Sequence, residues 1–222
     1  MVDKPIEWTS FDVVNKIRYA LKKSFPKIKV GHAGTLDPLA TGLLIICTGK
    51  MTKQIDHLQA LEKKYTGTFH LGATTPSYDS ETAIDANYDT SHIDATLLDQ
   101  TTLPFIGEIQ QIPPIYSALK KDGRALYHSA REGKIVEIAA RSVVIHDFKI
   151  VSHQLPDIAF EVHCSKGTYI RSLAYDYGKA LNSGAYLSSL RRTACGEFTI
   201  ENAWNLDVLI EFINDTLGHE RL

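Results

Sequence analysis

The chain has 222 residues, 44% hydrophobic and 23% charged, with a net charge of −2, the profile of an ordinary globular chain long enough to fold without a metal or disulfide staple. Its longest apolar run, Leu43-Leu44-Ile45-Ile46-Cys47, is far short of the ~18–20 residues of a membrane span, and Met1-Val2-Asp3-Lys4-Pro5 is no secretory signal. Cys47, Cys164 and Cys195 are an odd number without Cys-x-x-Cys, which speaks against a disulfide framework or zinc finger and for a reducing cytoplasm; together these features exclude membrane, secreted, fibrous and disordered classes.

In chain order, Thr9-Ser10-Phe11-Asp12 predicts a capped helix start. Phe11, Val14, Ile17 and Leu21 give it one apolar stripe that stops before Pro26. Gly31–Pro38 reads as an irregular loop and Leu43–Cys47 as a buried strand. Lys64–Leu71 alternates as a strand, with Tyr65, Gly67, Phe69 and Leu71 on one side. Ser91 and Asp94 start a helix ending near Pro104, and Leu126–Arg131 predicts a short helix closed by Gly133. Ser142–Val151 and Ile158–Cys164 read as paired strands. Tyr169–Leu181 is helical, with Ile170, Leu173, Ala174 and Tyr177 inward, and one more helix lies near Leu206–Ile213. With no repeat, linker or regular βαβ cadence, the expectation is one α+β domain, residues 1–222, with a mixed sheet.

Charge is segregated. Lys16, Arg18, Lys22, Lys23, Lys27 and Lys29 lie between Val13 and Leu36 with no acid among them. The 54 residues from Thr66 to Leu119 hold seven acids and no Lys or Arg. Ser165–Ala194 is basic again, with Lys166, Arg171, Lys179, Arg191 and Arg192 against Asp176. Any single charge run is usually a solvated face; three of alternating sign allow a folded molecule with one basic side and a polyanion partner.

Two segments concentrate chemistry. In Gly31-His32-Ala33-Gly34-Thr35-Leu36-Asp37-Pro38, the glycines open backbone shapes and Pro38 keeps Asp37 out of a helix. By composition alone Asp37 is as well read as a cap and the glycines as turn punctuation. In His163-Cys164-Ser165-Lys166-Gly167-Thr168-Tyr169-Ile170-Arg171, a basic, glycine-containing turn enters a helix, which suits an anion. Arg171 reads either as facing the same cavity or as a surface arginine, and Tyr65 either as core or as a stacking platform. His163 and Cys164 lack a second ligand pair, so no metal is expected. Dinucleotide and Walker-type loops are absent from the sequence.

The chain resembles the TruB family of pseudouridine synthases. The resemblance is carried by Lys4-Pro5, Thr9-Ser10, the run from Gly31 through Asp37-Pro38-Leu39-Ala40-Thr41-Gly42, and Lys64-Tyr65. It continues through Leu71-Gly72, Thr74-Thr75, Asp79, Pro113-Pro114 with Tyr116-Ser117-Ala118, Cys164 to Arg171, and Leu190-Arg191-Arg192. It covers nearly the whole chain, in order. It implies the pseudouridine synthase fold, with a mixed, largely antiparallel central sheet and flanking helices. The implied activity is isomerisation of uridine to pseudouridine at position 55 in the tRNA T-loop, in the cytoplasm and without cofactor, guide RNA or membrane; the sequence is silent on oligomeric state, and a monomer is the favoured expectation.

By the same resemblance Asp37 is the carboxylate acting at the nucleoside and Arg171 its ionic partner. Tyr65 is the third catalytic residue, stacking on the flipped uracil and assisting removal of the C5 proton; Leu190 closes the apolar side, and His32 enters the RNA loop. Lys4, Lys166 and Tyr169 complete the expected substrate contacts. The two alternatives are a non-catalytic tRNA-binding or tRNA-folding module and a synthase acting on another structured RNA. Three departures stand out: Glu7 where the family usually has glycine, no short strand ahead of Lys4-Pro5, and no C-terminal RNA-binding domain.

Overall fold

The computed structural model describes residues 1–117, 119–121, 124–125 and 137–218. The strands are β1 (Val2–Lys4), β2 (Val30–His32), β3 (Ala40–Leu44), β4 (Ile46–Thr48), β5 (Lys63–Leu71), β6 (Ala73–Thr74), β7 (Ala86–Asn87) and β8 (Gly107–Gln111). They continue with β9 (Lys120–Lys121), β10 (Arg124–Ala125), β11 (Arg141–Ile150), β12 (Asp157–Cys164), β13 (Ala185–Cys195), β14 (Phe198–Thr199) and β15 (Trp204–Asn205). The α-helices are α1 (Ser10–Lys22), α2 (Ile55–Gln59), α3 (Ala95–Thr102), α4 (Ile170–Ala180) and α5 (Leu206–Gly218). This is an α+β fold with a mixed sheet and flanking helices, as expected. The described residues form two compact units, Met1–Tyr65 with Leu190–Leu222, and Thr66–Ser189. The chain passes from one to the other within β5 and β13.

In the first unit, β1 pairs antiparallel with β3 and parallel with β15, while β3 runs parallel to β13. Helix α1 begins with a capping box: Thr9 accepts from the Asp12 amide at 3.0 Å, and Asp12 accepts from the Thr9 amide at 2.9 Å, an arrangement worth about 1 kcal/mol. Its buried face is Ser10, Val13, Val14, Ile17 and Ala20, which meets Val2, Val30, Leu44 and Leu206. Phe11, expected on that face, is exposed and lies under the Arg18 guanidinium, 5.8 Å from the ring centroid. It sits in the first turn, off the arc shared by Val13, Ile17 and Ala20. The Leu43–Cys47 strand is two strands, β3 and β4, divided at Ile45, because β4 leaves to pair with β2. Gly31 and His32 therefore belong to β2, and the irregular loop begins at Ala33. A strand does lead into Lys4-Pro5: β1 has only three residues, too few for a periodicity to reveal.

In the second unit, β11 pairs antiparallel with both β12 and β8. Its core is aromatic. Phe69 stacks on Phe160 with centroids 4.1 Å apart, and Phe148 and Tyr177 pack edge-on at 5.3 Å. The buried Tyr177 hydroxyl donates to the Leu98 carbonyl at 2.7 Å, joining α4 to α3, and burial pushes its pKa up. Helix α4 buries Ile170, Leu173, Ala174 and Tyr177 as its spacing predicted. Gly67 sits where a Cβ would come within 2.3 Å of the Ser189 carbonyl oxygen, so the close approach of β5 to that strand requires glycine. The predicted Leu126–Arg131 helix and Ala118 lie outside the described residues. The three cysteines are buried and in no disulfide, and no described helix is long and apolar enough to cross a membrane.

Candidate active site

The loop from Ala33 to Leu39 has almost no regular structure, yet its backbone is held at every step. The carbonyls of Gly34 and Thr35 accept from the Arg192 guanidinium at 3.2 and 3.5 Å. That of Leu36 accepts from the Ser10 hydroxyl at 3.1 Å, and the same hydroxyl takes the Leu36 amide at 2.8 Å. The Asp37 carbonyl accepts from the Ala40 amide at 3.0 Å. The Pro38 carbonyl accepts from the Glu7 amide at 2.8 Å and from Lys4 Nζ at 3.3 Å. Five consecutive carbonyls on either side of the half-buried Asp37 are thus satisfied by groups from four different segments. Such a loop fixes its carboxylate without the carboxylate's own contacts being needed to do so.

Two of those donors are cations drawn out of water. Lys4 is fully buried, and its ammonium also donates to the carbonyls of Pro5 (2.9 Å) and Trp8 (2.5 Å). Burial lowers its pKa to about 8, against the opposing pull of Asp37 and Asp12. Arg192 is 2% exposed and also donates to the Leu43 carbonyl at 2.7 Å. Gly42 stands in register between them, paired with Lys4 on β1 and with Arg192 on β13. At φ +100° a Cβ there would approach the Arg192 carbonyl oxygen to 2.3 Å, so only glycine fits. Lys4 therefore lies beneath the loop with its donors committed, not on a surface open to RNA. Arg192 leaves the exposed basic surface for the same reason, and Arg191 pairs with Asp3 at 2.6 Å.

The other residues expected in this unit are His32, Tyr65 and Leu190. His32 ends β2, and burial holds its pKa below the usual imidazole value, with the Arg192 cation adding to the effect. Tyr65 is half-buried on β5, and Leu190 is half-buried on β13, in register with Ala40. Glu7 takes φ +66°, so a non-glycine residue occupies the left-handed turn from which its amide reaches Pro38.

In the second unit, Lys166 is exposed, Tyr169 is the N-cap of α4, and Arg171 lies in its first turn, 4% exposed. Arg171 Nη1 lies 3.4 Å from Asp79 Oδ2 and donates to the Tyr116 carbonyl at 2.9 Å. Asp79 is itself held by the Ser77 hydroxyl (2.6 Å) and the Glu81 amide (2.9 Å), both on Oδ1. The Tyr169 ring lies 4.5 Å from the Arg141 guanidinium, which also donates to the Gly167 carbonyl. Asp79 carries no role in the sequence pattern, since a lone acid in an acidic stretch gives no signal of burial, and neither does Gln111, which is fully buried at the end of β8.

The family model for "TruB family pseudouridylate synthase (N terminal domain)" matches residues 22–170. The chain belongs to the TruB family. A tRNA pseudouridine synthase B of Flavobacterium johnsoniae is 56% identical over 214 residues, covering 95% of this chain and 93% of the relative. One of Phocaeicola vulgatus is 52% identical, covering 96% and 91%. Among solved structures, a Cbf5–Nop10–Gar1 complex matches with TM-score 0.73 at 30% identity, covering 95% of this chain and 53% of that one. An H/ACA RNP bound to a substrate RNA containing 2′-deoxyuridine matches with TM-score 0.72 at 26% identity, covering 100% and 55%. The chain thus spans about half the length of those solved chains.

Proposed function

We propose that this TruB-family chain is a tRNA pseudouridine synthase that isomerises uridine at position 55 of the T-loop, in the cytoplasm and as a monomer. The observation that carries this reading is the Asp37 loop, whose backbone is fixed from Gly34 to Pro38 around one half-buried carboxylate. Its closest support outside the chain is the shared name of relatives that match nearly end to end. The reaction breaks the N1–C1′ bond, turns the uracil and joins C5 to C1′, while C5 gives up its proton and the freed N1 takes one up. Reactant and product have the same composition, so the chemistry needs neither an electron carrier nor a group donor.

In this reading Asp37 acts at the nucleoside and Arg171 supplies the cation of the reaction centre. Tyr65 stacks on the extruded uracil, Leu190 covers its apolar side, and His32 helps to hold the base out. Extrusion costs a few kcal/mol, of which stacking on an aromatic ring offsets about 1–3 kcal/mol. The exposed Lys22, Lys23, Lys27, Lys29 and Lys166 contact T-arm phosphates, a role the buried Arg171 and Arg192 do not share. Mapping pseudouridine at single-nucleotide resolution in tRNA tests the proposal. Wild type should modify position 55, while Asp37→Asn should bind tRNA and form none. Comparable turnover by the variant would overturn the assignment.

A further inference from the structure

Helix α4 carries Tyr169 and Arg171 at its start, but its N-cap residue offers no side-chain cap of its own. The backbone of that N-cap residue is held instead from strand β8. Gln111 ends β8 and is fully buried. Its carboxamide oxygen accepts the Tyr169 amide at 2.7 Å, and its nitrogen donates to the Tyr169 carbonyl at 3.0 Å. Both backbone groups of one residue are thus read by one amide, a pairing that fixes position along the chain as well as direction. The residues after Gln111 continue the grip: the Ile112 carbonyl accepts from the Ser172 hydroxyl at 2.7 Å, and the Tyr116 carbonyl from Arg171 at 2.9 Å.

A buried glutamine whose carboxamide oxygen and nitrogen both bond one backbone residue is a costly choice for packing alone, since leucine would fill the space without a polar group to satisfy. We propose that Gln111 is a positioning residue for the reaction, one that sets where α4 begins and so where Tyr169 and Arg171 stand. The inference rests on the pseudouridine synthase reading for its effect on rate, and on geometry alone for its effect on the helix start. It leaves substrate affinity to other residues, because Gln111 is out of reach of RNA.

The test uses the full chain with Gln111→Leu and Gln111→Glu, reading amide hydrogen exchange and steady-state kinetics on tRNA together. In Gln111→Leu, exchange at Tyr169 and the first turn of α4 should quicken by at least tenfold, while the Phe69–Phe160 core stays protected. Its kcat should fall by about 10- to 100-fold, the usual consequence of a slight misplacement, with KM changed by less than about threefold. Gln111→Glu keeps the acceptor for the Tyr169 amide but sets a second oxygen against the Tyr169 carbonyl, so it should retain part of the amide protection and show an intermediate kcat; Gln111→Met, unbranched and apolar, serves if the leucine variant does not fold. Local loosening with unchanged kcat, or loss of protection spread evenly over Thr66–Ser189, would overturn the proposal. If wild type forms no pseudouridine, the functional reading fails, and the exchange measurement still decides whether Gln111 sets the helix start.

Discussion

Lys4 and Arg192 in one unit and Arg171 in the other are all cations withdrawn from water, but they are compensated in different ways. Among the described residues Lys4 and Arg192 meet only carbonyl oxygens, six of them between the two side chains. Arg171 faces a buried carboxylate, Asp79, which has its own donors in Ser77 and Glu81. A carbonyl cage solvates a cation without cancelling its charge, whereas a carboxylate cancels it and makes each partner depend on the other. The first arrangement suits a loop that must be held and kept electropositive around Asp37. The second suits a side chain whose orientation matters.

The sharpest way to break this contrast is to remove Asp79. Asp79→Ala takes a buried carboxylate away from a guanidinium that cannot shed its proton, and truncating one partner of a buried pair costs about 3–5 kcal/mol. The expected result is a large fall in the urea midpoint, together with lost pseudouridine formation because Arg171 is no longer held. A variant with wild-type stability and rate would show that Arg171 is held without Asp79, with the Tyr116 and Ser77 carbonyls among its partners.

Lys4 sharpens the contrast from the other side, because a lysine in a carbonyl cage can lose its proton. Its folded pKa of about 8 lies below the ordinary lysine value of 10.5, so between those values the unfolded chain binds more protons. Stability from this group therefore rises with pH through that window, and its cost is fully present below about pH 8. A gap of that size corresponds to about 3 kcal/mol at most. Urea unfolding at pH 8 and pH 10 should show a steeper rise in wild type than in Lys4→Met. Parallel profiles would mean that the cage costs the ammonium nothing.

Part of this was legible in the sequence. Thr9 and Asp12 announce the start of α1 because capping is local, and Ile170, Leu173, Ala174 and Tyr177 announce the buried face of α4 because the period is long enough to see. The Asp37 loop was legible by resemblance to a family, not by spacing. What was not legible depended on distant partners. Nothing near Arg192 says that it turns inward to Gly34 and Thr35, and nothing near Gln111 says that Tyr169 lies against it. Ile45 divides β3 from β4 only because β2 claims the second half of the run.

Glu7 is the case in which the sequence raised a question that the backbone answers. The turn expected of glycine is kept at φ +66° by a residue with a Cβ, and its amide still reaches the Pro38 carbonyl at 2.8 Å. Left-handed backbone costs such a residue about 1–2 kcal/mol. Replacing it by glycine relieves that strain but returns about 0.5–1 kcal/mol of conformational freedom to the unfolded chain. The net expectation for Glu7→Gly is a gain of up to about 1 kcal/mol, or a rise in melting temperature of about 2–4 °C for a chain of this size. The rate should be unchanged, since the hydrogen bond under the Asp37 loop is a backbone one and survives the substitution. A lowered melting temperature would mean that the Glu7 side chain stabilises the turn by more than its strain, and that the loop carrying Asp37 is held by a side chain there as well as by the backbone.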